Sequence, residues 1–197
     1  MKYGDAIRLQ KEVAKKIVSK DDFGEINRIC GVDVAYSGDT AYCSAVVMEG
    51  QTVAESVDSQ TAVTHPYEPG LFMLREAGPI IHTTKKLKND FDLLLVNGHG
   101  LLHPRKCGLA CYVGVTLNKP AIGVAKSRLC GTVRPDGFVE LGGEILGYAF
   151  NKKLYVSAGH RISLETAMAV VKELGVEPLQ LADANSKAQK RRKGLRP

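Results

Sequence analysis

Residues 28–60 read RICGVDVAYSGDTAYCSAVVMEGQTVAESVDSQ and carry the strongest structural signal of the chain. Three segments rich in apolar and β-branched residues, 28–36, 40–48 and 51–60, are separated by Ser-Gly-Asp and Glu-Gly, which are turn signals. Separations this short join strands that lie side by side. The stretch therefore predicts a three-strand antiparallel meander.

The pattern changes after the meander to alternating helices and strands. Apolar residues there recur either at helical spacing or in short continuous runs, and continuous runs are typical of buried parallel strands. Before the meander, residues 5–20 have the spacing of an amphipathic helix with Asp5 as its N-cap. The elements predicted after it are a helix at 71–77, a strand at 91–96, a helix at 108–117, a strand at 121–125, a hairpin around 134–137, a strand at 154–156 and a helix from Ser163 to Gly175. This order matches the ribonuclease H-like architecture, an α/β fold in which a mixed sheet, a three-strand antiparallel meander plus parallel strands, is flanked by helices.

The chain has the length and composition of one globular domain. Its 197 residues are 44% hydrophobic and 24% charged, which excludes a wholly disordered chain. Six of the 27 basic residues lie in residues 187–197, where there is no acidic residue, so residues 1–186 hold 21 basic and 21 acidic residues. We therefore expect a single domain over 1–186 and a flexible basic tail over 187–197. Such a tail suits attraction to nucleic-acid phosphates, and equally a solvated terminus.

The sequence favours a cytoplasmic location. No apolar run approaches the ~18 residues that span a bilayer, and the first residues lack the apolar stretch of a secretory signal. Five cysteines, an odd number, indicate reduced thiols rather than a disulfide framework. Cys107 and Cys111 have a CxxxC spacing without a second pair of ligands, so we expect helix core there rather than a zinc site.

Asp33 is the first candidate for chemistry, because it interrupts the apolar segment Ile29–Ala35. An ionised carboxylate inside such a strand is costly unless a cation or hydrogen-bond donors compensate for its burial. A metal ion would compensate, and so would nearby backbone amides or exposure to water. The local pattern favours a metal ligand and leaves these alternatives open.

Further polar residues fall where predicted elements end. Glu76 is expected at the end of a short helix before Gly78-Pro79, and alone it fits a solvated face. Lys126 follows the strand at 121–125, where it could meet a phosphate. His160 lies just after a strand and before a helix, where a metal or phosphate could bind, although a histidine there is also an ordinary hydrogen-bonded residue.

Two loops carry the remaining candidates. Residues 97–106, NGHGLLHPRK, follow a strand, where ligands gather in α/β sheets, and their glycines permit a close backbone approach. Their spacing is neither that of a P-loop nor that of a dinucleotide fingerprint. Residues 65–70, HPYEPG, place one tyrosine between two prolines, which fits either a stiff aromatic wedge that replaces a base or an ordinary proline-rich loop.

Taken together, these segments resemble the endonuclease V family, the inosine-directed endonucleases. The resemblance runs from Asp5 to about Leu174 and rests on motifs in one order, which are GVDVAY at 31–36, PYEPGL at 66–71, LREAGP at 74–79, GHGLLHP at 98–104, GVAKS at 123–127 and SAGHRIS at 157–163. It implies a Mg²⁺-dependent repair enzyme, with Mn²⁺ as a substitute, that cuts the second phosphodiester bond 3′ to inosine and leaves a 3′-hydroxyl and a 5′-phosphate. It also implies inosine-containing DNA as the partner, with RNA left open, and a monomer is the default.

The resemblance assigns catalytic roles motif by motif. Asp33 resembles the metal ligand of the first strand, Glu76 the second acidic ligand, and Asn97 stands at the position of a third ligand. His160 resembles a late histidine near the metal centre, and Lys126 the lysine that supports phosphate or water. These roles are physically coherent, because Mg²⁺ prefers oxygen ligands and neutralises charge on a scissile phosphate.

The resemblance also assigns substrate-binding roles. Pro66 and Tyr67 resemble a wedge that separates the strands at the lesion. His103 and Arg105 fall in the motif beside the scissile strand. Gly108, with neighbouring backbone, resembles part of the pocket that reads the flipped hypoxanthine through main-chain hydrogen bonds.

Asn97 is the important departure, because the family pattern has aspartate before Gly-His-Gly. Asparagine offers one neutral carbonyl oxygen in place of a carboxylate, so both Mg²⁺ affinity and water activation should fall. We therefore expect nicking by this chain to be reduced or abolished. The alternative is a non-cleaving protein that binds inosine or nucleic acid, but the retained acidic residues favour the enzyme.

Overall fold

The computed structural model describes residues 3–63, 65, 66, 68 and 70–194. The strands within them are β1 (Arg28–Ser37), β2 (Thr40–Glu49), β3 (Thr52–Ala62), β4 (Leu93–Asn97), β5 (Ala121–Ala125), β6 (Thr132–Val133), β7 (Phe138–Leu141), β8 (Glu144–Asn151) and β9 (Leu154–His160). The helices are α1 (Tyr3–Ala14), α2 (Met73–Thr84), α3 (Leu109–Leu117), α4 (Leu164–Leu174) and α5 (Glu177–Gly194). Of the helices in this part of the chain, none is long and apolar enough to cross a membrane.

The strands form one mixed sheet in the order β3-β2-β1-β4-β5-β9-β8-β7-β6. The predicted antiparallel meander is β1, β2 and β3, and β1, β4 and β5 run parallel to one another. β9 runs antiparallel to β5, and β8, β7 and β6 extend the sheet by further antiparallel pairs. The predicted ribonuclease H-like fold class is confirmed. Because the parallel strands end at one edge, that edge is where a ligand site is expected.

Helices cover both faces of the sheet. One core cluster joins α2 and α3 to Val32 and Val96, and a second joins α4 and the start of α5 to Leu95. Successive residues of a strand point to opposite faces. Asp33 and Asn97, which follow Val32 and Val96, therefore point to the face that α5 covers.

The helix predicted at 71–77 is longer than expected, because α2 continues past Gly78-Pro79 to Thr84. A proline inside a helix lacks the N–H that would bond to the carbonyl four residues earlier, which here belongs to Arg75. The hydroxyl of Tyr36 donates to this carbonyl at 3.5 Å and supplies the missing donor. Glu76 consequently lies in the first turn of α2, where the helix dipole favours a carboxylate, and not at the C-terminal end of the helix.

α5 was not predicted, because its 18 residues contain few apolar side chains and no regular apolar stripe. Its docking depends on Gly31, because a Cβ there would lie 2.2 Å from backbone atoms of Pro178 and Leu179. Residues 187–194, most of the predicted basic tail, continue α5, so the boundary expected at residue 187 lies inside a helix. Residues 195–197 lie outside the described part of the chain, and the flexibility of the tail stays a prediction.

The N-terminal helix is shorter than predicted and ends at Ala14 instead of Lys20. The backbone of Val18 bonds instead to the end of β9, because its N–H donates to the His160 ring and its carbonyl accepts from the Arg161 N–H. The next helix in the chain, α4, has the predicted caps. The Ser163 hydroxyl accepts from a backbone N–H of the first turn, and Gly175 follows the last residue with a φ of 73°.

Candidate functional site

A cavity of about 830 Å³ opens at the edge of the sheet where β1, β4 and β5 end. The strand register explains why polar residues meet there. Val32 pairs with Val96, and Asn97 pairs with Val124, so Asp33, Asn97 and the last residues of β5 lie at one level of the sheet. Polar and charged side chains line the cavity from separate parts of the chain, among them Asp33, Glu76, Asn97, Lys126 and Asp183.

Asp33 is the centre of this group and is only 5% exposed. Its Oδ1 accepts a hydrogen bond from Asn97 Nδ2 at 2.5 Å, and its Oδ2 accepts from the Ser186 hydroxyl at 3.2 Å. Burial raises the pKa of Asp33 to about 6. The amide of Asn97 opposes this rise in the pKa, and the adjacent carboxyl of Asp183 adds to it. The predicted burial of Asp33 is therefore present, with donors from β4 and α5 as partial compensation.

Asp183 is the site residue that the sequence analysis missed. It lies on α5, and Oδ2 of its carboxylate is 2.8 Å from Lys187 Nζ and 3.3 Å from Lys126 Nζ. Burial alone would raise its pKa, but the Lys187 ammonium, a hydrogen bond with Asp33 and the charge of Lys126 outweigh burial and lower it. The available signal was compositional, because Asp183 is the sole acidic residue of 178–197.

Glu76 reaches the cavity from α2 and is 4% exposed, so the solvated face that its local sequence suggested is wrong. Burial raises its pKa well above the usual range, and the negative charge of Asp33 raises it further. The nearby Tyr36 hydroxyl and the charge of Arg75 oppose this rise in the pKa. The Arg75 guanidinium in turn stacks on the Tyr36 ring at 4.2 Å from its centroid. Two buried carboxyls with raised pKa values thus face one cavity.

The structure does not bring His160 to the other predicted site residues. It pairs with Ala121, the first residue of β5, whereas Lys126 follows the last residue of that strand. His160 is buried at the opposite edge of the sheet, and its Nδ1 accepts from the Val18 N–H at 3.3 Å. The physical reason is strand direction, because β9 runs antiparallel to β5 and its C-terminal end lies away from the cavity.

The predicted substrate loops have a mixed outcome. Pro66 is exposed, and Tyr67 lies outside the described residues. His103 lines the cavity, and both His103 and Arg105 bond to the carbonyl of Gly70.

Gly108 does line the cavity. A Cβ at this position would lie 2.2 Å from the carbonyl oxygen of His99, so the contact requires glycine. Its own N–H donates to the Gly100 carbonyl, and its carbonyl accepts from the Tyr112 N–H. The backbone groups of Gly108 itself are therefore occupied, and any main-chain reading of a base there falls to neighbouring residues.

The candidate metal ligands at the cavity are oxygen atoms, which suit a hard divalent cation such as Mg²⁺. Asp33, Glu76 and Asp183 offer carboxylates, and Asn97 offers one neutral carbonyl. Within the described ranges, no group of three or more His, Cys, Asp or Glu side chains is close enough to hold a metal ion. Mg²⁺ usually keeps several waters and binds one or two carboxylates plus substrate phosphate, so this donor set fits it.

Cys107 and Cys111 are buried beside Val13 in a small apolar cluster. The predicted place in a helix core is confirmed for Cys111, on α3, whereas Cys107 lies just before that helix. Burial raises the pKa of both thiols, which keeps them in the neutral form that suits an apolar site. The pair has no role in the cavity, which they do not line.

Comparisons with known proteins agree on one family. A family model described as Endonuclease V matches residues 11–184. Endonuclease V of Thermofilum pendens is 41% identical over 198 residues, covering 90% of this chain and 84% of the relative. The solved structure of Endonuclease V from Streptomyces avermitilis has a TM-score of 0.87 at 26% identity, covering 98% of this chain and 95% of that one. Ciona intestinalis Endonuclease V, in complex with a 24mer DNA containing an inosine followed by a ribo-adenosine, has a TM-score of 0.83 at 26% identity, covering 96% and 98%.

Proposed function

Because this chain belongs to the endonuclease V family, we propose that it is a metal-dependent endonuclease of nucleic-acid repair that recognises deoxyinosine and hydrolyses the second phosphodiester bond 3′ to it. One observation carries the proposal. Asp33, Glu76 and Asp183 converge from β1, α2 and α5 on a single cavity that Lys126 also lines. The crystal structure of the Ciona relative with inosine-containing DNA supports the choice of substrate.

One or two of the carboxylates of Asp33, Asp183 and Glu76, with substrate phosphate and water, would hold the cation, with Mg²⁺ the natural ion and Mn²⁺ a substitute. Asn97 could add only its neutral carbonyl oxygen. When bound, a divalent cation supplies positive charge that neutralises the scissile phosphate and makes water a better nucleophile at neutral pH. The chain itself supports this assignment. The raised pKa values of Asp33 and Glu76 reflect burial of like charges, and a cation offsets that cost.

The lysines supply the chain's own positive charge. Lys126 and Lys187 both contact Asp183, yet 65% and 49% of their side chains remain exposed, so their ammonium groups can also reach a phosphate. Lys187 and Lys190 line the same cavity from consecutive turns of α5. We assign these basic groups to the backbone of the bound strand, with Lys126 and Lys187 beside the Asp183 carboxylate. DNA is the proposed partner, RNA stays open, and a monomeric single-domain enzyme is proposed.

Asn97 decides how much cleavage this chain performs. Its amide nitrogen donates to Asp33, so the side chain presents a donor to a carboxylate where the family pattern has a further carboxylate. This bond partly compensates the buried Asp33 carboxylate without a cation, so the affinity of the site for a cation is lower. We therefore propose reduced or abolished nicking. The same contact favours a second candidate function, an inosine-binding protein that does not cleave.

A nicking assay separates the two functions. An inosine-containing DNA strand and its adenine counterpart are incubated with this chain, with Asn97→Asp and with the doubly changed Asn97→Asp, Glu76→Gln, each with Mg²⁺ and with Mn²⁺. We expect Asn97→Asp to cut far faster than the parent, and the doubly changed protein to cut no faster than background. If Asn97→Asp binds the inosine strand but does not cut it, the binding function is the better one. If no form prefers inosine, both are excluded.

A further inference from the structure

Gln10 is a buried amide outside the catalytic group, and its contacts are unusually complete. It lies on α1 and is 1% exposed. Its Nε2 donates to the carbonyls of Gly70 and Cys107, and its Oε1 accepts from Arg105 Nε. One side chain from the N-terminal helix therefore joins the end of the 65–70 loop to the residue just before Gly108.

The Gly70 carbonyl is the convergence point of this network. It accepts from Gln10 Nε2 at 3.2 Å, from Arg105 at 2.6 Å and from His103 Nε2 at 3.1 Å. His103 donates here because its Nδ1 already accepts from the Arg105 N–H, which leaves the proton on Nε2. Burial and the charge of Arg105 lower the pKa of His103 to about 4, so the ring stays neutral in this role.

The backbone conformation at Gly70 favours glycine. Its φ is 75°, a region that side chains disfavour, and a Cβ there would lie 2.9 Å from the guanidinium of Arg105. Gly70 is also the last residue of the HPYEPG loop, and it lines the cavity together with Gln10, His103 and Gly108. The network thus fixes Gly70, the last residue of this loop, at the wall of the cavity.

We propose that Gln10 is a positioning residue for substrate recognition, which holds Gly70, the last residue of the 65–70 loop, against the backbone just before Gly108 at the cavity wall. The inference rests on the proposed function and on the family resemblance, which implies that this loop carries the wedge and that Gly108 belongs to the pocket for the displaced base. Within the described residues, Gln10 bonds to Gly70, Cys107 and Arg105. It acts through Gly70 and Arg105, and its exchange should alter the discrimination between inosine and adenine rather than the affinity for nucleic acid in general.

A spectroscopic test addresses the loop without any nucleic acid. The chain contains no tryptophan, so Tyr67→Trp creates a single reporter in the loop. In this background, Gln10→Glu keeps the size of the side chain and its acceptor for Arg105 but loses the donor to Gly70 and Cys107. We expect clearly stronger acrylamide quenching and lower anisotropy of Trp fluorescence than in the parent. Gln180→Glu, the same change at an exposed position of α5, should leave both signals unchanged.

Unchanged quenching and anisotropy in a folded Gln10→Glu protein would overturn the proposal. If Gln10→Glu does not fold, Arg105→Lys decides by the same measurement, since it keeps the charge and loses the planar fork that joins Gln10 to Gly70. Folding is checked by the melting curve in circular dichroism.

A binding test addresses recognition in the full chain with Tyr67 in place. We expect Gln10→Glu to reduce the ratio of adenine-strand Kd to inosine-strand Kd by about tenfold, the value of one well-placed hydrogen bond, with the adenine-strand Kd unchanged. Equal weakening for both strands, or no change in the ratio, contradicts a positioning role. A parent without inosine preference overturns the proposed function, and the fluorescence result still decides the role of Gln10 in the loop.

Discussion

Asn97→Asp exchanges a hydrogen bond for a contact between like charges. In the parent, Asn97 Nδ2 donates to Asp33 Oδ1 at 2.5 Å, and Asp33 is almost fully buried. Aspartate has the same shape and no donor, so the two carboxyls must either repel each other or share a proton. Without a divalent cation, the substitution should destabilise the folded protein even though it restores the family pattern.

The size of this effect can be bounded from the structure. Losing a hydrogen bond to a charged group costs about 1.5–3 kcal/mol. Two carboxylates about 4 Å apart repel by about 4 kcal/mol at an effective dielectric constant of 20, but protonation limits this cost. Asp33, whose pKa is already about 6, can be protonated at pH 7 for about 1.4 kcal/mol. We therefore expect the free energy of unfolding to fall by about 2–4 kcal/mol at pH 7, or roughly 5–15 °C in Tm.

The assay is thermal unfolding followed by circular dichroism, first with EDTA and then with saturating MgCl₂. The matched control is the exchanged pair Asp33→Asn, Asn97→Asp, which restores one amide and one carboxylate and should recover most of the loss in EDTA. Mg²⁺ should raise the Tm of Asn97→Asp more than that of the parent, because only the folded state holds the ion. If Asn97→Asp matches the parent in EDTA, or the exchanged pair recovers nothing, the reasoning about this contact is refuted.

Three further predictions concern stability and strand binding. Because the pKa of His103 falls from about 6.5 unfolded to about 4 folded, the folded protein binds fewer protons between these values, so stability is complete above pH 6.5 and about 3 kcal/mol is lost as the pH falls towards 4. In urea titrations across this range, that loss should appear as the difference between the parent and His103→Asn. Gly31→Ala places a methyl group 2.2 Å from the α5 backbone, so it should lower the free energy of unfolding in urea by about 1–3 kcal/mol and reduce nicking by the Asn97→Asp form. Gly24→Ala, with open space around its Cβ, should change neither quantity. Lys190→Ala combined with Arg191→Ala, both exposed on α5, should flatten the slope of log K against log salt by roughly 1.5 for strands with or without inosine, and an unchanged slope would remove α5 from the strand path.

Local sequence pattern predicted the parts of the site that are set by strands. Asp33 interrupts an apolar run, and Lys126 directly follows one, so both positions followed from β1 and β5 alone. Strand direction beyond the parallel trio was not predictable from a short apolar run, which is why His160 was expected near the cavity and lies at the other edge. Glu76 was misjudged because a proline normally ends a helix, and the donor that replaces its missing N–H comes from Tyr36, 43 residues earlier than Pro79 in the chain.

Asp183 was missed for a different physical reason. α5 has too few apolar residues to be recognised by periodicity, since it docks through close backbone contact at Gly31 and through polar bonds. Ser186 illustrates these bonds. Its hydroxyl lies 3.2 Å from Asp33 Oδ2 and 3.1 Å from the Asp183 carbonyl, so it ties β1 to α5 at the cavity. Such contacts depend on the tertiary fold and leave no regular pattern in the sequence.

The lysines on either side of Asp183 connect the acidic group to its substrate. Lys126 and Lys187 compensate the Asp183 carboxylate while no phosphate is present, which keeps its pKa low although burial acts to raise it. A phosphodiester that enters the cavity would compete for the same two ammonium groups, since it carries a full negative charge on two unbridged oxygens. Asp183 would then lose part of its compensation and become a better ligand for a cation. We therefore expect strand binding and cation affinity to be coupled through Lys126 and Lys187, and Lys187→Ala should weaken that coupling while it leaves the contact between Asn97 and Asp33 intact.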